Sequence, residues 1–566
     1  MRSGCSSEMT LTTPGEAPVS GYRSTSAEGL HRSGGDSQRQ HDGAACDSSR
    51  TEPAGDHHTP LQLAGTRRVP GLGGGPFDVV PTRYAELTSD VLIAVLVFLL
   101  FLFQAFFSEK IPVNNGFGWD GFLYGTLAKD FYRIVSTARM DPLRIPMILP
   151  SAVVHYSCRL LGVRLDDPNI VLAFSIYEAV LLGVSAFLWC RSVPLLEISP
   201  RGKALGLLAL FGNYGLLKHA VYYPILADVT GFSLGMLFIY SYLTRKTWLL
   251  YVATLTSCFS WPTGLTTGAF MILFPRSQAE GTTSRVNRHF FHVVIAIVLA
   301  VYIVDRARLL VRDGFQIPSG TAQPIASVLT LSYLTCFAYV SAAVASLLNW
   351  DELFRVQNLL RRLRAPGFYL GLAFLAITAR LPSFIPHSNA SLDGQGLIDI
   401  FVVESIAKPG VFLLAHIIYF GPILLLAIFL WGAVCRLVHD HGIGLTLSLT
   451  FAAISAVDSE SRHLLGYFPL LAPFVVKATD NLNWDLAACT VFAGCSLLLS
   501  KVWLTINPLP NDRLFLDFPW QRYFMSLGPW MSGRAYLAQT AGVVGCGLLL
   551  LPFVRRVDNT VQRVKA

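Results

Sequence analysis

Two short polar segments of the sequence carry residue types that suit hydroxyl and phosphate chemistry. They are NNGFGWDGFLYGTLAKDFY, residues 114–132, and SESRHLLGYFPLLAPFV, residues 459–475. A carboxylate such as Asp120 in the first segment can take a proton from an attacking hydroxyl. A guanidinium such as Arg462 in the second can bind a phosphate through two parallel hydrogen bonds. Together they would suit transfer of a group that departs from a phosphate.

Further candidate residues surround these two. The candidate catalytic residues are Asp120 and, as an assistant, Asp130; the candidate substrate-binding residues are Trp119, Tyr124, Asp228, Arg462 and His463. Asp228 belongs to this set because an ionisable residue inside an apolar run is costly unless it is paired, hydrated or used.

Each main candidate also has a purely structural interpretation. Asp120 could cap the helix that follows it, and Asp228 could cap a helix that begins after Pro224. Arg462 could form a local surface pair with Glu460, a kind of contact that contributes little to stability. The sequence leaves these alternatives open.

The composition places these residues in a membrane protein. Of 566 residues, 52% are hydrophobic and only 14% are charged, and the mean hydropathy is +0.49. The apolar residues form runs of roughly 16 to 27, the length that an α-helix needs to cross about 30 Å of hydrocarbon. Because the basic residues behind the net charge of +8 lie between these runs, they are expected to orient helices rather than bind nucleic acid.

The apolar runs predict an all-α polytopic membrane protein with about 12–14 transmembrane helices. Residues 1–87 are expected to be a disordered cytosolic tail, 88–556 a multi-span membrane domain, and 557–566 a short cytosolic C-terminal tail. Basic residues before the first run place the N-terminus in the cytosol, and Asp120 therefore on the outer or lumenal side. The same count places Asn389, in the chain's only Asn-x-Ser/Thr sequon, on that side as a candidate glycosylation site.

Two runs leave the path of the chain open. The run 146–163 contains two prolines, His155 and Arg159, so it either crosses the membrane or lies flat in the interface as an amphipathic helix. If it lies flat, another segment must double back. The best candidate is 248–274, which Trp261 and Pro262 interrupt.

Both polar segments resemble the GT-C superfamily of multi-span glycosyltransferases. WDGFLYGTLAKDFY is similar to the first-loop signature of that superfamily, whose mannosyltransferase branches include a Trp-Asp-Gly followed by an aromatic residue. SESRHLLGYFPLLAPFV is similar to a pattern that opens a late span, with Arg462, His463 and Pro469 at the matching positions. The resemblance covers about thirty residues, and Asp120 is not part of the acidic doublet that some branches carry.

The resemblance implies a GT-C-like fold and transfer of a hexose, with mannose favoured, from a dolichyl- or polyprenyl-phosphate sugar. The partners would be membrane lipid, that donor, and a glycan, lipid or protein acceptor, with Asp120 as base. No cofactor would be required; a divalent metal near Asp120 is left open as an alternative that nothing in the sequence supports. The expected location is the endoplasmic reticulum or Golgi membrane in a eukaryote and the plasma membrane otherwise. The alternatives are a transporter or flippase for a lipid-linked or amphipathic solute, and a noncatalytic scaffold derived from the superfamily.

Overall fold

The structure is a computed structural model. It describes residues 80–118, 120–137, 140, 142, 144–276, 289–315, 324–348, 356–386, 394–506, 528 and 531–565. Most of the predicted N-terminal tail lies outside the described residues, as do Trp119 and Asn389. The elements within the described ranges are all helical.

Nine α-helices and one π-helix make up the first half of the described chain. They are α1 (Val80–Phe107), α2 (Asp120–Lys129), α3 (Phe131–Thr137), α4 (Leu149–Leu160), α5 (Asp167–Ser192), α6 (Pro200–Phe211), the π-helix (Gly215–Ala220), α7 (Asp228–Thr244), α8 (Thr247–Ser257) and α9 (Gly264–Leu273). Side-chain caps fix two of the starts, since Asp166 and Ser199 each accept a backbone N–H at the beginning of α5 and α6.

The second half continues in the same manner. Its helices are α10 (His289–Arg312), α11 (Leu329–Leu347), α12 (Val356–Arg364), α13 (Pro366–Arg380), α14 (Gly394–Ser405), α15 (Val411–Phe420), α16 (Ile423–Phe429), α17 (Trp431–His439), α18 (Ile443–Ser455), α19 (Phe468–Asp480), α20 (Leu486–Ser500) and α21 (Gly533–Lys565). The last helix extends through most of the segment predicted as the C-terminal tail.

Five helices in the described ranges are long and apolar enough to cross a membrane, judged by length and composition. They are Glu86–Phe107, Asp167–Leu196, Ala326–Leu347, Pro366–Phe384 and Gly533–Arg555. Four further apolar helices are shorter, with 10 to 17 residues. The prediction of an all-α integral membrane protein is confirmed, whereas the number of 12–14 spans and the orientation of the termini stay predictions.

The predicted run 146–163 forms the short helix α4. Its 12 residues extend about 18 Å, less than the roughly 30 Å of a hydrocarbon core. Tyr156 and Leu160 are exposed on one face, while Ser151, Val154 and His155 are buried on the other. The helix therefore has the length and amphipathic character of the interfacial alternative.

The segment 248–274 doubles back, as the interfacial alternative requires. It forms α8 and α9, which run antiparallel, because Gly268 lies against Thr254 and Gly264 against Ser257. Trp261 occupies the bend between the two helices, where Pro262 prevents the helix from continuing.

The bend at Trp261 supports the chain segment that carries Arg462. Gly466 packs so tightly on the Trp261 ring that a Cβ atom there would lie 2.3 Å from it. A Cβ atom on Gly235 of α7 would lie 2.1 Å from the Gly466 carbonyl oxygen. The turn that follows Arg462 is thus held between α7 and Trp261 by contacts that only glycine allows.

We expect Gly235→Ala to destabilise the protein by about 1–3 kcal/mol, because the new methyl group would push on a backbone carbonyl that has no room to move. The measurement is the thermal unfolding midpoint of the detergent-solubilised full chain, followed by tryptophan fluorescence. Gly494→Ala is the matched control, since a Cβ atom at that helical glycine would meet no atom within 4 Å. It should leave the midpoint unchanged or raise it. Equal midpoints for the two variants would contradict this account of the packing.

Candidate active site

Asp120 and Arg462, the two main candidates, are in direct contact although they are 342 positions apart. Arg462 Nη2 donates to Asp120 Oδ2 at 2.9 Å. Asp120 is the first residue of α2, and Arg462 lies in a 3₁₀ turn, Ser461–Leu464, between α18 and α19. The side chain of Asp120 is 32% exposed and that of Arg462 is 13% exposed. The carboxylate is therefore accessible, while the guanidinium is largely enclosed.

A second guanidinium binds the other oxygen of the same carboxylate. Arg144 Nη2 donates to Asp120 Oδ1 at 3.2 Å, and Arg144 Nη1 donates to Tyr124 Oη at 3.3 Å. Tyr124 lies one helical turn after Asp120, and its hydroxyl donates to Met147 Sδ at 3.2 Å. Tyr124 thus positions Arg144, which holds Asp120 from the side opposite Arg462.

Two acidic residues beside Arg462, Glu460 and Asp458, complete a charged cluster with Asp120, Arg144 and His463. Arg462 Nε donates to Glu460 Oε2 at 3.0 Å. His463 Nδ1 lies 2.6 Å from Asp458 Oδ2, and its Nε2 lies 3.3 Å from Glu460 Oε2. The local Glu460–Arg462 pair of the structural interpretation therefore exists, but Arg462 uses a different nitrogen for it and keeps Nη2 for Asp120.

The charges in this cluster fix its protonation states. Burial raises the pKa of Asp120, but Arg462 and Arg144 outweigh burial and lower that pKa to about 2. Burial lowers the pKa of His463, but Asp458 and Glu460 raise it to about 9. At neutral pH the cluster therefore holds Asp120 and Glu460 as carboxylates and Arg144, Arg462 and His463 as cations.

Glu404, near the end of α14, adds a buried acid behind this cluster. It is 4% exposed. Burial raises the pKa of Glu404 well above the usual range, and the negative charges of Asp458 and Glu460 add to this effect. The raised pKa favours the protonated form of Glu404, which lessens its repulsion of the two other acids.

The loop before Asp120 is built by residues that tolerate left-handed backbone. Asn114 and Asn115 have positive φ, and Asn114 Nδ2 donates to the Gly118 carbonyl at 2.7 Å. Gly118 has a φ of +67°, and a Cβ atom there would lie 2.4 Å from the Tyr223 ring. The Tyr223 hydroxyl accepts the backbone N–H of Gly121 at 2.8 Å, so this tyrosine fixes the start of α2.

The remaining candidates have different positions. Asp130 pairs with the exposed Arg133 and lies about 15 Å along α2 from Asp120, so the geometry does not support it as an assistant to Asp120. Asp228 opens α7 without making a capping hydrogen bond, and its Oδ2 is buried with no partner among the described residues. Among those residues, no group of three or more His, Cys, Asp and Glu side chains is arranged to hold a metal ion.

The sequence indicated some of these contacts and missed others. It selected Asp120, Tyr124 and Arg462, but nothing in it links Arg144 to Tyr124. Glu404 had no role at all, although a lone carboxyl among apolar residues in FVVESIA is a signal of a buried, functional or paired acid.

The charge on His463 makes a testable contribution to stability. Its folded pKa of about 9 lies above the unfolded value of about 6.5, so its contribution is complete below about pH 6.5 and is lost as the pH rises through 9. We expect the difference in thermal midpoint between wild type and His463→Gln to be largest near pH 6.5 and to shrink by pH 10. Groups that titrate in both proteins cancel in the difference. A difference that stays constant over this range would contradict the ion pairs with Asp458 and Glu460.

No protein-family model matches the chain, and neither a curated protein nor a solved structure matches it. The function assigned to the cluster therefore depends on its own geometry and chemistry, together with the GT-C resemblance of the two polar segments.

Proposed function

We propose that the chain is an integral-membrane glycosyltransferase of the GT-C type. It transfers a hexose from a dolichyl- or polyprenyl-phosphate sugar to an acceptor hydroxyl on the lumenal or extracytoplasmic side of the membrane, with Asp120 as base. Mannose is the favoured hexose because the first-loop segment resembles mannosyltransferase branches. The enzyme would belong in the endoplasmic reticulum or Golgi of a eukaryote, or in the plasma membrane of another cell.

The observation that carries the proposal is that one accessible carboxylate, Asp120, is bound by two guanidiniums from distant parts of the chain. A base and two phosphate ligands in contact are the minimum set that the reaction needs. Arg144 binds Asp120 in addition to Arg462, so both oxygens of this carboxylate accept from a guanidinium. Both cations are charged at every physiological pH, so they can receive an anionic group when the carboxylate releases them.

Binding of the donor would change the partners of Asp120. A lipid phosphate is an anion with the oxygen geometry that guanidinium groups bind best. When its oxygens take hydrogen bonds from Arg462 and Arg144, Asp120 loses the charges that hold its pKa near 2. The carboxylate then becomes a stronger base at the moment when the sugar is in place.

The transfer itself forms one bond and breaks one. The acceptor oxygen attacks the anomeric carbon while its proton moves to Asp120, and the bond from that carbon to the phosphate oxygen breaks with its electron pair on the phosphate. The two arginines stabilise the extra negative charge of the departing lipid phosphate. His463 stays protonated beside Glu460 and adds positive charge to the same region.

We expect Asp120→Asn to reduce sugar transfer by about 10²-fold or more, because the amide cannot take the acceptor proton. The measurement is transfer of radiolabelled mannose or glucose from the dolichyl-phosphate sugar to endogenous acceptors. It is made in membranes that carry each protein at matched expression. Asp130→Asn is the matched control, since this acid directly after α2 pairs with Arg133 away from the cluster, and it should retain wild-type transfer.

Three other results would count against the proposal. Equal labelling by wild type and Asp120→Asn would leave Asp120 a purely structural residue. Equal losses in both variants would show that any change to α2 is harmful, and the base would then be elsewhere. Wild-type membranes that transfer no more sugar than membranes without the protein would favour a transporter or a scaffold.

A further inference from the structure

A second group of polar side chains lies on the interior side of the cluster, and part of it has no partner. His219 is 1% exposed. Its Nδ1 lies 3.2 Å from the Tyr419 hydroxyl, whereas its Nε2 is buried and has no hydrogen-bond partner among the described residues. The Oδ2 atom of Asp228 is likewise buried and has no hydrogen-bond partner among the described residues. Unpaired buried polar atoms destabilise a fold, so two of them beside an active site indicate a bound polar ligand.

The backbone around His219 has an unusual and firmly held form. His219 lies in the six-residue π-helix Gly215–Ala220, a rare type of helix that is frequently found at functional sites. Gly215 packs against the Tyr419 ring so closely that a Cβ atom would lie 2.4 Å from it. Lys218 in the same turn donates to Glu109 at 2.7 Å and to the Leu504 carbonyl at 2.6 Å. These contacts fix the direction in which the imidazole points.

This second group is continuous with the candidate active site. Tyr223 follows His219 by one helical turn, and its hydroxyl binds the N–H of Gly121, the residue after Asp120. His219 lies within electrostatic range of Arg462. Asp228 lies within range of Arg462 and Asp120. Tyr223 therefore links the segment that carries His219 directly to the start of α2, where the proposed base lies.

The chemistry of the group selects a neutral, hydroxyl-rich ligand. A carboxylate oxygen accepts hydrogen bonds from hydroxyls and repels a phosphate, and an imidazole nitrogen can accept or donate to a hydroxyl. Lys218, in the same turn as His219, is already held by Glu109 and Leu504. The rings of Tyr223 and Tyr419 supply apolar surface next to these polar atoms, a combination that fits the mixed faces of a pyranose ring.

We infer that His219 and Asp228 form a subsite that binds the hydroxyls of the donor's sugar ring, on the interior side of Asp120. The inference rests on the proposed function. It also gives the donor a direction: the phosphate lies at Arg462 and Arg144, the anomeric carbon at Asp120, and the ring extends toward His219. His219 and Asp228 would then determine which hexose is accepted.

The test compares the binding of dolichyl-phosphate mannose, dolichyl-phosphate glucose and dolichyl phosphate to the full chain in detergent or nanodiscs. We expect wild type to bind one of the two sugar lipids at least about tenfold more tightly than dolichyl phosphate. Two variants, His219→Asn and Asp228→Asn, should each reduce this ratio of Kd values by about tenfold, the effect of roughly one hydrogen bond. The amide of His219→Asn retains a polar group near the Nδ1 position. Neither variant should change the Kd of dolichyl phosphate, and Asp130→Asn should behave as wild type.

The outcomes separate the subsite from the function. If both variants keep the full advantage of the sugar lipid, or if wild type shows none, the subsite is wrong while the function can stand. If dolichyl phosphate does not bind wild type, or binds Arg462→Gln equally well, the proposed function itself fails. The two substitutions lie on separate segments, so a folding defect in one, detected as a lowered thermal midpoint, leaves the other to decide.

Discussion

The ion pair between Asp120 and Arg462 is the interaction on which the rest of the site depends. Each partner needs the other, because a largely enclosed guanidinium requires carboxylates and a carboxylate beside an apolar bundle requires cations. Since the two residues are 342 positions apart, the contact can form only when α2 and the turn after α18 reach their final places. The site is therefore assembled only when the bundle is folded.

The surrounding packing explains how such distant segments are held to within a hydrogen-bond length. Tyr223 fixes the start of α2 through Gly121, and Gly118 is shaped to let that ring approach. On the other side, Trp261 and α7 enclose the turn after Arg462 through Gly466 and Gly235. In both places a glycine allows an aromatic ring or a carbonyl to come closer than any side chain would permit.

The sequence predicted the parts of this arrangement that depend on local chemistry. Hydropathy gave the membrane class, and the proline after Trp261 marked the segment that doubles back. Residue type and position at the ends of apolar runs were enough to select Asp120 and Arg462. Asp130 lies close to Asp120 in sequence, but ten residues of helix separate the two by about 15 Å, and Asp130 pairs locally with Arg133.

The sequence could not predict contacts that exist only after helices pack. Nothing in the spacing of residues relates Glu404 to Asp458, or His219 to Tyr419, because several helices lie between the partners along the chain. Asp228 shows that a local sequence pattern can also mislead. Its position before an apolar run is typical of a helix cap, yet the first turn of α7 contains no capping hydrogen bond. An unpaired buried atom is visible only in the folded structure.

A carboxylate with a pKa near 2 would ordinarily be a poor base, and this property needs to be reconciled with catalysis. The low pKa arises from two cations that an incoming phosphate is well suited to take over. In the proposed reaction, the pairing would keep Asp120 ionised and ordered before the donor binds. Once the donor is bound, the loss of those partners would raise the basicity of Asp120 next to the anomeric carbon. The arginines would then link donor binding to activation of the base, so that an acceptor hydroxyl is deprotonated only when a sugar is present to receive it.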